Sequence, residues 1–348
     1  MTLLLLVSAT VSAEGDNCDA VGELGFVCGM QNAEDLVQVP DTHWIIASGM
    51  APGASIYLID SRLKSWSVLY PGEIPRIQQD MEMFGACPGA PDPASLVSHG
   101  LNIRSGVDGH STLYVVGHGG REAVEVFDVD ANGERPFLTW KGCVMTPDGM
   151  EANSVASLAD GTLLVTIPLV TGRTIAEAMA LELTGSVFKW SPGDPGFTVI
   201  DGTEGAYNNG IEVSADGSEF YIASSGFFNV TAYSNTNPAR KLRTSKQLEF
   251  VPDNLHMGED GRLITAGLLA DYSQCGAVRS PDEFALEAFA SCPRPFVVRV
   301  IDPQSMEGED LARGPANPLF SNITMGLQVG DEIWIGTFTG DRVAYAPK

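Results

Sequence analysis

Apolar and polar residues alternate in short runs along most of this chain, and Asp-Gly pairs separate many of the runs. Alternation at period two marks a half-buried strand, and Asp-Gly readily adopts the backbone of a tight hairpin. The pairs fall at Asp160-Gly161, Asp216-Gly217 and Asp260-Gly261. Seven residues before each Asp stands a polar residue: Asn153, Asn209 and Asp253. The same seven-residue offset runs from Glu34 to Asp41, from Thr324 to Asp331 and from His99 to Gly106, with Asp108-Gly109 just beyond.

Each copy has one grammar: a polar opener, a short alternating strand, a turn, then a second apolar strand ending near a small residue. Further strand candidates, such as Ser55–Asp60, Val124–Val129, Ser186–Trp190 and Phe296–Ile301, lie between copies. The six openers are separated by 65, 54, 56, 44 and 71 residues. Six units of about four strands predict an all-β, six-bladed β-propeller, in which repetition around a channel protects the sheet edges. Residues 14–348 then form a single propeller domain.

In that fold the first strand of each blade lines the channel, so Glu34, His99, Asn153, Asn209, Asp253 and Thr324 should form a ring, with Asn254 beside Asp253. The second strands climb back toward the ring, and their exits carry Met50, His118, Leu169, Phe227, Phe228, Leu268 and Phe338. A polar floor beneath an apolar wall predicts a small-molecule site, with the apolar exits as its pocket. Two exits carry insertions, Leu169 to Gly185 and Leu269 to Pro295, each with a short helical pattern: Ile175, Met179 and Leu183 at i, i+4, i+8, and Pro281–Phe289. Both are expected to cover the active face.

Composition narrows the setting. Forty-four acidic against 20 basic residues give a net charge of −24, which excludes a phosphate-binding footprint and hence nucleic-acid partners. Leu3 to Val7 followed by Val11-Ser12-Ala13 reads as a signal peptide over 1–13, cut ahead of Glu14. No later run is long enough for a membrane span, so a secreted or periplasmic protein is expected. The six cysteines fit an oxidising compartment; of their 15 possible connectivities, the nearest pairs are Cys18/Cys28 and Cys275/Cys292, which leaves Cys87 with Cys143. There is no GxSxG elbow, HExxH or P-loop, and the SxxK match at Ser61 to Lys64 sits in ordinary blade sequence. Asn229 and Asn322 open glycosylation sequons.

The ring itself carries the chemistry. Glu34, Asn153, Asn209, Asp253 and Asn254 present only oxygen donors, two of them carboxylate. Such a set suits Ca²⁺, which takes six to eight hard oxygens in irregular geometry, better than zinc or Mg²⁺. His99 in the ring and His118 at the end of the same blade's second strand place two imidazoles on the same face, able to act as a base and its orienting partner. His256 should point into the channel below the rim.

On these residues the chain resembles the serum paraoxonase/arylesterase family of six-bladed, calcium-dependent lactonases. It is similar, more distantly, to gluconolactonases and strictosidine-synthase-like propellers. The resemblance runs from Glu34 to Tyr345 and rests on Ala33-Glu34-Asp35, Ser98-His99-Gly100, Val115 to His118 followed by Ala123 to Phe127, Asn209-Gly210-Ile211, Asp253-Asn254 and Ile335-Gly-Thr337. It implies that Glu34, Asn153, Asn209, Asp253 and Asn254 hold a catalytic Ca²⁺. His99 and His118 would match the family's histidine dyad, and the substrate would be a small hydrophobic lactone or ester. Two departures stand out. The family's second, structural calcium uses an Asp where this chain has Ser154, although Asp35 is present, and the family's disulfide between the termini finds no cysteine beyond Cys292.

Overall fold

Alternating strands with one apolar face must bury that face against a neighbour, and here they do so by radial stacking. A computed structural model describes residues 18–279 and 284–348; the expected signal peptide over 1–13 lies outside the described residues. Among the described residues, six mainly antiparallel sheets form the blades of a propeller, and the fold is nearly all β, with two short helices. Blade 1 comprises Leu36–Gln38, Trp44–Ala47, Ile56–Asp60 and Ser65–Tyr70. Blade 2 comprises Val97–Ser105, His110–His118, Ala123–Asp130 and Phe137–Met145, with Arg76–Ile77 added parallel to its outer edge. Blade 3 is built from Val155–Ser157, Leu163–Ile167, Ser186–Trp190 and Thr198–Val199, and blade 4 from Asn208–Val213, Glu219–Ser224, Asn229–Ser234 and Lys241–Thr244. Phe250–Met257, Leu263–Leu269, Phe296–Ile301 and Gly308–Gly314 form blade 5.

Blade 6 closes the ring. Its inner strands, Ile323–Val329, Glu332–Thr337 and Arg342–Pro347, come from the end of the chain, and its outermost strand is Gly25–Cys28 from near the beginning. Phe26 faces Ala344 in this antiparallel pair. Strand pairing therefore performs the closure, and Cys18 ties the leading segment to Cys28 in the same strand. The other bridges join Cys87 to Cys143 and Cys275 to Cys292, so three disulfides fit an oxidising, extracellular environment. Among the described residues, no helix is long and apolar enough to cross a membrane. The sequon at Asn322 is unusable in the folded chain, because Asn322 is buried and donates to Ala290 O and Thr339 Oγ1.

The core lies between the blades. Phe127 and Trp140 of blade 2 pack with Trp190 and Val165 of blade 3, and Trp334 of blade 6 packs with Ile45 and Ile59 of blade 1. Polar side chains stitch the inner strands of adjacent blades. Ser98 Oγ accepts from Gly49 N at 2.7 Å, Thr166 Oγ1 donates to Asn209 O at 2.5 Å, and Ser225 Oγ donates to Pro252 O at 2.7 Å. These bonds join blade to blade at the level of the ring, and so fix where the ring residues stand.

Candidate active site

In four blades the innermost strand begins earlier than the alternation predicts, and the opener sits inside it at a β-bulge. Pairing with the second strand skips between Ser98 and Leu101, between Asn208 and Ile211, between Pro252 and Leu255, and between Ile323 and Met325. The skipped residues are His99-Gly100, Asn209-Gly210, Asp253-Asn254 and Thr324. A bulge re-aims a side chain that regular pleating would send into the sheet, and here it turns these residues toward the axis. Glu34 and Asn153 stand just ahead of their strands instead. Glycine is required beside two openers: a Cβ on Gly100 would lie 2.5 Å from Asn153 O, and one on Gly210 would collide with the backbone of Asp253 and Leu255. Those close approaches draw neighbouring openers together.

All six openers line one cavity of about 730 Å³, measured with its open mouth. At the floor and just beneath it, Asn254 Nδ2 donates to Glu34 Oε1 at 2.6 Å, and Asn209 Nδ2 donates to Ser225 Oγ at 3.1 Å. With their amide nitrogens so engaged, these side chains leave their oxygens free. Glu34 Oε2, Asn153 Oδ1, Asn209 Oδ1 and Asn254 Oδ1 are all buried without a hydrogen-bond partner. An unpaired buried acceptor costs about 1–3 kcal/mol, so four of them around one axis call for a common positive partner. Burial, with the charges of Asp35 and Asp253 adding, holds the Glu34 carboxyl well above the usual carboxylate range. Burial likewise pushes Asp253 up to about 7.

These residues fit a calcium ion. Among the described residues no three His, Cys, Asp or Glu side chains converge to hold a metal, and the donors the ring offers would be two carboxylates and three amide oxygens. An all-oxygen, irregular set of this kind is calcium chemistry. The same test fails for a second ion. Asp35 Oδ1 accepts from Leu36 N and from His256 Nε2, both at 2.8 Å, and Oδ2 accepts from Leu101 N at 2.7 Å. Burial opposes the imidazolium of His256, but the charges and hydrogen bonds of Asp35 and Glu212 prevail and raise it to about 10. Both oxygens of Asp35 are thus taken up by N–H donors, one of them His256 in the channel, and the residues there do not fit a structural calcium.

His99 and His118 are in direct contact: His99 Nδ1 lies 3.0 Å from His118 Nε2. His99 Nε2 is 3.8 Å from Glu34 Oε1, beyond hydrogen-bond range. Burial first, and His118 second, push His99 down to about 3, so its imidazole is neutral near pH 7. His118 Nδ1 in turn meets Glu122 Oε2 at 2.5 Å. Glu122 was not singled out from the sequence; the signal available was its place across a short turn from His118.

The wall differs from the sequence reading. Met50 and Phe338 line the cavity, whereas Leu169, Phe227, Phe228 and Leu268 do not. Leu268 packs between blades 5 and 6, and Phe228 is buried against Ala178, Met179 and Val278. The alternation could not say which face of an exit points at the axis. The wall is supplied instead by the two insertions, through Ile175, Met179, Val278, Phe284, Leu286 and Phe289, together with Tyr207. The first insertion forms the helix Ile175–Met179, capped by Thr174 in a capping box with Glu177. The second forms the helix Leu286–Ser291 within the expected helical stretch Pro281–Phe289 and just beyond it, residues 281–283 of that expectation lying outside the described residues, and the Cys275–Cys292 bridge ties its end back.

Over more than nine tenths of its length the chain is similar in fold to solved propeller structures. It superposes on a luciferin-regenerating enzyme with a TM-score of 0.54 at 13% identity, covering 92% of each chain. It superposes equally on a gluconolactonase from Xanthomonas campestris, with a TM-score of 0.54 at 14% identity, covering 93% of this chain and 89% of that one. Identities this low carry the fold alone. No family model matches the chain, and no curated protein matches it by sequence.

Proposed function

We propose that this protein is a secreted, calcium-dependent hydrolase of hydrophobic lactones or aryl esters. The observation that carries the reading is the gathering, at and just beneath the floor of one apolar cavity, of four partnerless buried oxygens, with His99 on the cavity lining and His118 in contact behind it. When bound, calcium supplies Lewis-acid polarisation of the ester carbonyl. The protein's own groups do the rest. Ile175, Met179, Leu286 and Phe289 hold the apolar part of the substrate and exclude bulk water from it. His99 Nε2 accepts a proton from the attacking water as its oxygen bonds to the carbonyl carbon, while His118 holds the other ring nitrogen. The carbon–oxygen bond to the leaving group then breaks, and the proton passes from His99 to the departing alkoxide.

The fold's likeness to a gluconolactonase raises a second reading, a sugar-lactone hydrolase. Sugar hydroxyls need hydrogen-bonding groups on the wall, and the insertions offer mainly Ile, Met, Val, Leu and Phe there. The apolar reading is therefore the better supported. Calcium-loaded and chelated protein should be assayed on an alkyl-substituted γ-lactone, phenyl acetate and glucono-δ-lactone. Calcium-dependent turnover of the first two, faster than of the third, is expected. Preference for the sugar lactone would establish the second reading, and no turnover of any ester with calcium present would leave a ligand-binding propeller.

A further inference from the structure

We propose that Glu122 is a positioning residue of this site, fixing the tautomers of His118 and His99 so that a lone pair of His99 faces the cavity. The inference rests on the hydrolase reading above and concerns how its base is prepared. A carboxylate accepts hydrogen bonds and cannot donate them, so the 2.5 Å contact of Glu122 Oε2 puts the hydrogen of neutral His118 on Nδ1. His118 Nε2 is then an acceptor, and His99 Nδ1 must donate across the 3.0 Å contact. His99 Nε2 is left unprotonated. Without Glu122, His118 can present its hydrogen from Nε2, which forces the opposite arrangement on His99 and removes the base.

Local structure holds the contact in place. Gly117 pairs directly with Ala123, so the chain turns back within residues 118–122. Gly119 has φ of +94°, and a Cβ at Gly119 or Gly120 would collide with Ser95, so the loop lies tight against the chain beside it. The carbonyl of Glu122 accepts from Thr146 N at 3.1 Å and Thr146 Oγ1 at 3.2 Å, which anchors its backbone. Arg121 turns the other way: its guanidinium makes two bonds to Glu125, at 2.7 and 2.8 Å, and one to Gly89 O. The adjacent cation is thus engaged elsewhere, and the Glu122 carboxylate is available to His118.

The test uses the calcium-loaded protein with Glu122→Ala, Glu122→Gln, His118→Gln and the double variant His118→Gln/Glu122→Ala. Glu122→Ala is expected to lower kcat roughly 10- to 100-fold, the usual cost of losing a group that orients a working ligand or base, with KM and bound calcium unchanged. Glu122→Gln should recover part of the rate, since its amide oxygen can still accept from Nδ1. The double variant should be no slower than His118→Gln alone. A wild-type kcat in Glu122→Ala, or losses that multiply in the double variant, would overturn the proposal. A ¹⁵N spectrum of the histidines separates this outcome from failure of the hydrolase reading, because it needs no turnover. His118 should be the Nδ1–H tautomer in wild type and change in Glu122→Ala; an unchanged spectrum overturns the assignment even if every ester is inert.

Discussion

Asn254, on blade 5, donates its side-chain amide at 2.6 Å to Glu34, at the entrance to blade 1. The bond spends one oxygen of Glu34 and the nitrogen of Asn254, and leaves Glu34 Oε2 and Asn254 Oδ1 without partners. Two residues 220 positions apart in the chain thereby fix the orientation of each other's free oxygens.

Removing the metal should lower both activity and stability. Binding to the native state alone stabilises by RT ln(1 + [L]/Kd), about 2.7 kcal/mol when free calcium is a hundredfold above Kd. Differential scanning calorimetry should show Tm rising with calcium and falling after EGTA, and mass spectrometry should count one calcium per chain. A Tm indifferent to chelation would remove calcium from the account, and a count of two would contradict the closure of the second site by His256.

Asn209→Ala and Asp253→Ala each delete a donor, so calcium and hydrolysis should be lost together. Asp253→Ala should be the more severe, because it also removes one of the two ring carboxylates that offset the charge of the ion. Bound calcium measured beside kcat for each variant checks the order. Retention of full activity by a variant stripped of calcium would separate metal from chemistry.

His99→Gln should have the opposite signature. The five oxygen donors are untouched, so calcium and fold should persist while the rate falls roughly 10²- to 10⁴-fold, the range for general acid–base catalysis. Esters with good leaving groups should lose less, because a weaker nucleophile suffices. Near-wild-type rates on both a lactone and an aryl ester would reduce His99 to a structural role.

The apolar wall should govern substrate choice more than turnover. Ile175→Asn and Phe289→Ser place polar groups against the bound chain, and each should raise KM for a long-chain lactone about tenfold or more, while phenyl acetate changes less. Steady-state kinetics on the two substrates decides it. Equal effects on both would show that the insertions do not contact the acyl chain.

Much of this architecture was legible along the chain. The seven-residue offset between polar openers and turns, repeated six times, announced six blades, because a propeller repeats one local rule and each blade obeys it independently of distance. The ring openers Glu34, His99, Asn153, Asn209, Asp253 and Thr324 could be read for the same reason, and all six line the cavity. Strands such as Ser186–Trp190 and Phe296–Ile301 begin and end where the alternation says. The disulfide pairs followed nearness in sequence, since short loops close most readily.

What the chain alone left open was direction. Alternation places Leu268 and Phe228 at strand exits, but which way each side chain points depends on bulges and on the packing of the next blade, and both turn away from the cavity into apolar clusters. The insertions' helical spacing marked them as covers of the active face, but which of their side chains, Met179 and Phe289 among them, would line the cavity was decided only by packing over the ring. The role of His256 was equally hidden, because its partner Asp35 belongs to another blade and only closure of the propeller brings them to 2.8 Å. Local periodicity is written in neighbouring residues and survives in the sequence; the aim of a side chain across the axis is set by contacts between blades, which exist only once the ring has closed.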